Sequence, residues 1–164
     1  MININNNSHR NAISYFLLIL IVSLCSYIIF ISIGKQSFWL DEATTYFLSI
    51  SNLDDSIKID PNMSLYNLLA HAWIQLIPNH SEGMLRLLSA IFSIARIPLI
   101  YLLGCTLSND RKRGMIMGLI GAILVASNPF FIAYAQEFRS YSLTFFLTTL
   151  STYLFIKCFS QEDG

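Results

Sequence analysis

The run Ala12–Ile33, AISYFLLILIVSLCSYIIFISI, with the Gly34–Glu42 stretch GKQSFWLDE behind it, decides the fold class. A stretch of about 20 apolar residues is what one helix needs to cross the hydrocarbon core of a bilayer. The run is too long for the apolar core of a secretory leader and has no small-residue cleavage site after it, so it reads as a retained span. Trp39 is the type of residue that anchors at the lipid–water boundary. Asp41 and Glu42 are costly in hydrocarbon. The acidic pair is therefore placed at the membrane surface, within reach of a lipid head group and of water.

The rest of the chain agrees. Of its 164 residues, 54% are hydrophobic and 12% charged, against about 25% charged in a soluble domain. Mean hydropathy is +0.55. The chain reads as an all-α, polytopic membrane protein. Net charge is zero, so nothing points to a nucleic-acid partner. Cys25, Cys105 and Cys158 lie in apolar stretches without metal or disulfide spacing and read as small buried hydrophobes.

Three more segments have spanning length: Leu85–Leu107, Gly114–Tyr134 and Tyr141–Phe159. Charge divides the connections. Arg10, Arg111-Lys112-Arg113 and Lys157 mark one side, while Gly34–Met84 carries Asp41, Glu42, Asp54, Asp55, Asp60 and Glu82 against Lys35 and Lys58. The positive-inside rule then puts the tails 1–11 and 160–164 in the cytoplasm. It puts Gly34–Met84 and the short connection Gln136–Arg139 outside. The chain is expected in the cell (inner or plasma) membrane, in contact with membrane lipids.

Inside the outer segment, Asp41–Ser49 is expected as a short helix with its acids in the first turn, where the helix dipole favours them. Asn52–Asn62, with Asp60-Pro61, reads as a turn region. Leu65, Leu68, Leu69, Ala72, Trp73, Leu76 and Ile77 recur at helical spacing, with Asn67, His71 and Gln75 opposite them. That pattern predicts an amphipathic helix lying on the membrane and ended by Pro78. In the third span, Gly114, Gly118, Ala122 and Ala126 make a small-residue face for close packing within the chain. Asn128-Pro129 should kink or end that span.

Chemistry is expected where acids meet on the outer side. Asp41 and Glu42 follow the first span, and Glu137 precedes the fourth. A carboxylate there can take a proton from an attacking hydroxyl. Asp41 and Glu137 together could instead hold a divalent cation. Arg86 and Arg139, on the same side, could bind a phosphate. Arg96 lies mid-span, where a charge costs about 2.5–3.5 kcal/mol on insertion scales, and should face the bundle interior or water. His71 reads as a polar-face residue, and His9 and His80 carry no signal. With only Arg96 at membrane depth, no acid is placed to relay ions as in a small transporter.

Several stretches together resemble the N-terminal part of bacterial glycosyltransferase family 39 membrane proteins, relatives of the dolichyl-phosphate-mannose protein mannosyltransferases in the GT-C class. Phe38-Trp39-Leu40-Asp41-Glu42-Ala43 is similar to the family's acidic motif in the first outer loop. Asp60–Trp73 is similar to its surface helix, Leu85–Gly104 to its second span, and Asn128-Pro129-Phe130 with Gln136–Leu143 to its second outer loop. The resemblance covers residues 38–155. It implies a partial GT-C fold and an inverting transfer of a sugar from a polyprenyl-phosphate donor to a lipid, glycan or protein acceptor outside the membrane. It makes Asp41 the general base and Glu137 the second acid, organising the site or a cation. Glu42, Arg139 and Tyr66 fall on motif positions, and Tyr141 joins Arg139 and Arg86 as a substrate-side residue. The surface-helix motif often reads His-Pro-Pro-Leu-Tyr-Tyr and here reads Asn62-Met63-Ser64-Leu65-Tyr66-Asn67. Family members are much longer, with more spans. The expectation is therefore the N-terminal portion of such a transferase, with a truncated, non-catalytic remnant or interaction subunit as the alternative.

Overall fold

A computed structural model of the chain describes residues 3–51, 59–60 and 63–160, and the side chains of 11–159 among them. Seven helices account for nearly all of this: α1 Asn3–Ser32, α2 Leu40–Ile50, α3 Ser64–Leu76, α4 Glu82–Thr106, α5 Arg111–Ala126, α6 Pro129–Ala135 and α7 Tyr141–Ser160. No strand occurs among the described residues. Most of the expected Asn52–Asn62 turn lies outside them.

Three helical stretches are long and apolar enough to cross a membrane: Asn11–Ser32, Glu82–Thr106 and Tyr141–Phe159. The expected third span is instead a pair, α5 and α6, bent by 65°. The bend falls where Asn128-Pro129 was expected to kink the chain. Pro129 cannot continue the α5 hydrogen-bond ladder, and the Asn128 side chain caps the new helix by accepting from the Phe130 N–H. The α1 helix begins at Asn3, and its spanning stretch is Asn11–Ser32.

The long helix α4 is the centre, touching α1, α3, α5, α6 and α7. Against α5 it packs backbone to backbone. A Cβ on Gly104 would collide with Gly118, one on Gly118 with the Tyr101 carbonyl, and one on Gly114 with the Cys105 carbonyl at 2.9 Å. The small-residue face of α5 is therefore used within the chain, and Gly104 is its counterpart on α4. Of the cysteines, Cys25 is buried and Cys158 exposed, so the expectation of three buried thiols fails at Cys158, on the outward side of α7.

The α3 helix also departs from expectation. Two of its three polar-stripe residues turn inward: Asn67 is buried, and His71 Nδ1 lies 2.7 Å from the Ser49 carbonyl on α2, while Gln75 stays exposed. Leu65, Leu68 and Leu76 face outward, while Leu69, Trp73 and Ile77 pack on the core. On α2 the Ser49 carbonyl partners His71, while both polar side-chain atoms of Asn67 are buried without a hydrogen bond among the described residues.

Candidate functional site

The ends of α1 and α6, the starts of α4 and α7, and helix α2 converge at one end of the bundle. Arg86, in the second turn of α4, is 2% exposed, and Glu42, in the first turn of α2, is 1% exposed. Arg86 Nε donates to Glu42 Oε1 at 2.8 Å and Nη2 to Oε2 at 2.7 Å. The other guanidinium N–H groups reach the carbonyls of Ile33, Gln36 and Ser37, which follow α1. Glu42 also accepts from the Trp39 N–H and, at 2.7 Å, from the Phe138 N–H. All five Arg donors and the carboxylate's acceptor sites are in use. Burial works against ionisation of Glu42, but the bonds from Arg86, Phe138 and Trp39, with the Arg86 charge, outweigh it and hold the carboxyl below the ordinary range.

That pair fixes the 137–139 connection. Phe138 is fully buried, with its ring parallel to Phe38 and edge-on to Tyr66. The Tyr66 hydroxyl lies 2.7 Å from Ser89 Oγ, and Ser89 donates to the Arg139 carbonyl. Burial drives the Tyr66 phenol far above its usual range. A second relay runs from Ser93 to Ser142 and on to the Tyr134 carbonyl, tying α4 to both sides of the connection.

What remains open is a smaller cluster. The Asp41 side chain is 70% exposed, and Arg139 Nη2 stands 3.8 Å from its carboxylate. Arg139 also donates to the Asp41 carbonyl and toward Thr45 Oγ1. Its guanidinium lies 5.8 Å from the Tyr141 ring centre. Glu137 is half-buried, and among the described residues its carboxylate has no hydrogen-bond or ion-pair partner. Burial raises the Glu137 carboxyl above the usual range. Glu42 and Asp41 push the same way, and Arg139 and Arg86 pull back.

The structure thus sorts the expected site residues. Asp41, Glu137, Arg139 and Tyr141 gather on the open side. Glu42, Arg86 and Tyr66 form the frame behind them: Arg86 has no donor left for a phosphate, and the Tyr66 hydroxyl is committed to Ser89. No group of three His, Cys, Asp or Glu side chains able to hold a metal ion occurs among the described residues. With Glu42 spent on Arg86, Asp41 and Glu137 are the carboxylates left on the open side. Thr45, Ser89, Phe138 and Ser142 were missed in the sequence. Thr45 stands four residues after Asp41, and Ser89 three after Arg86, spacings that put each on its partner's helix face.

Arg96, 3% exposed, turns into the bundle as expected. Its guanidinium lies 3.9 Å from the centre of the Phe131 ring and 5.4 Å from that of Phe145. Among the described residues no carboxylate pairs with it, and its Nε is sealed without a hydrogen bond.

Comparison with protein-family models, with curated proteins and with solved structures finds no match to this chain.

Proposed function

We propose that this chain is the N-terminal portion of a GT-C-type glycosyltransferase that crosses the cell membrane four times, with the α5–α6 pair as one crossing. In this reading the Asp41 end faces outward, and a sugar passes from a polyprenyl-phosphate donor to a hydroxyl acceptor. The observation that carries the reading is the open Asp41–Arg139–Glu137 cluster at one end of an apolar bundle, held on a frame of fully used buried hydrogen bonds. Such a frame is what a reacting geometry needs.

In this mechanism Asp41 takes the proton of the acceptor hydroxyl. The oxygen attacks the anomeric carbon from the face opposite the phosphate, the new C–O bond forms with inversion, and the bond to the lipid phosphate breaks. The electron pair leaves on the phosphate, where Arg139 stabilises the charge. Asp41, whose side chain is 70% exposed, then releases the proton to water.

The exposed apolar residues beside Asp41, Trp39 66% and Leu40 84% exposed, favour a second reading: a non-catalytic subunit whose rim docks another protein. The test is sugar transfer and donor binding by membranes carrying the chain, using a polyprenyl-phosphate sugar, with Asp41→Ala as the control. Transfer lost by roughly 10²–10⁴-fold in the variant supports the enzyme reading. Transfer equal in both removes Asp41 as base. Neither binding nor transfer by the unsubstituted chain supports the subunit reading.

A further inference from the structure

Helices α1 and α5 meet along a seam that they do not fill, running inward from the end of the bundle remote from Asp41. One hollow of about 230 Å³ is lined by Ile13, Leu17, Ile116 and Leu119, with Lys112 at its mouth and Ser14 beside it. A second, of about 290 Å³, lies between Leu24 and Ile28 of α1 and Ile123 and Ser127 of α5. The two belong to one lane. Lys112, Ile116, Leu119, Ile123 and Ser127 fall at i, i+4, i+7, i+11 and i+15, a single face of α5. Ile13, Leu17, Leu24 and Ile28 repeat the same intervals on α1. From Lys112 to Ser127 the helix rises about 22 Å, longer than the ~15 Å of one hydrocarbon leaflet.

The mouth of the lane is cationic. Arg111, Lys112 and Arg113 are all exposed. Among the described residues the one acidic partner is Asp110, 3.5 Å from Arg113 in a solvent-exposed pair, and such a pair holds its cation weakly. Lys112 and Arg111 have no carboxylate within ion-pair distance among those residues. An apolar furrow between membrane-crossing helices, closed at one end by unpaired cations, matches an amphiphile with an anionic head and long apolar tails.

We infer that the α1–α5 seam is a binding site for an anionic glycerophospholipid, with the head group on Lys112 and its neighbours and an acyl chain laid along Ile116, Leu119 and Leu17. The seam then stays filled in the membrane, and α1, which few residues hold to the bundle, is fastened through the lipid. This inference is independent of the transferase reading.

The test is thermal unfolding of the purified full chain in neutral detergent, titrated with phosphatidylglycerol, phosphatidylcholine or glycerol phosphate. Phosphatidylglycerol should raise the Tm saturably, and the other two should not. Lys112→Gln and Arg111→Gln should each weaken the apparent affinity roughly fivefold. Ile116→Trp, at an exposed position, should fill the lower hollow and abolish the shift with all charges retained. The inference is overturned if Ile116→Trp leaves the shift intact, for then the lipid acts through surface charge alone. An equal shift with phosphatidylcholine, or with glycerol phosphate, overturns it as well.

Discussion

Arg86 and Glu42, forty-four residues apart in the chain, saturate one another and the backbone around them: both are buried, and both spend all their hydrogen-bonding capacity. The pair joins the exit of α1, the start of α2, the second turn of α4 and the Phe138 peptide. Breaking a buried pair by removing one partner leaves an uncompensated charge. Glu42→Gln and Arg86→Met should each cost about 3–5 kcal/mol. Denaturant unfolding of the single and double variants checks this, and a double variant no worse than either single one shows that the two act as a unit. Because the folded-state carboxyl of Glu42 is depressed, its contribution is present above the ordinary carboxylate range and lost as pH falls through the lowered value.

Glu137 has the opposite sign. Its folded-state carboxyl is raised, so between its ordinary and its raised value the folded chain binds more protons than the unfolded one. Stability therefore falls as pH rises through that window. Glu137→Gln should be more stable than the parent at neutral pH and indistinguishable from it in acid. Unfolding midpoints measured across pH decide this, and a variant that is less stable at neutral pH would sink the argument.

Asp41 should separate function from folding. Its side chain is exposed, and its one ion pair, with Arg139, spans 3.8 Å, so Asp41→Asn should change stability by less than about 1 kcal/mol. Any sugar transfer by the chain should fall steeply in the same variant. Circular dichroism melts run beside the transfer assay check both halves.

Arg96 and Arg86 should respond differently to the same replacement. Arg96 has aromatic partners and no anion among the described residues. Replacing it with Met removes about 1–2 kcal/mol of cation–π attraction but also a buried charge with an unmet donor. Arg96→Met should be neutral or stabilising where Arg86→Met is strongly destabilising.

Gly118→Ala should fail to pack, because the new Cβ meets the Tyr101 carbonyl, which is backbone and cannot swing away. Overpacking of this kind costs about 1–3 kcal/mol. Gly121→Ala, whose Cβ meets only the Ile100 side chain at 3.0 Å, is the milder control in the same unfolding experiment.

Helix positions were legible in the sequence because apolar length, Pro129 and the acidic start of α2 each carry a local physical signal. What faces what was not. Asp41 and Glu42 are adjacent and chemically alike, yet a step of about 100° around the helix turns one outward and the other into the core. Nothing local says which. Arg86 looked free for a phosphate because its carbonyl partners, Ile33, Gln36 and Ser37, lie far back in the chain. The inward turn of His71 depends on the Ser49 carbonyl arriving from α2; Asn67 is buried with its amide unpaired among the described residues. The small face of α5 was readable, but its counterpart Gly104 required the packing itself.

The 65° turn between α5 and α6 has a consequence for the bilayer. The straight part, Arg111–Ala126, is about 24 Å long, less than the ~30 Å of hydrocarbon it would have to cross. In the four-span reading proposed above, the chain would swing sideways while still at lipid depth, and the surrounding leaflet would thin toward it. Arg96 reaches toward Phe131 at that same spot. In that reading, thinning there would shorten the path to water of a cation that has no anion beside it among the described residues.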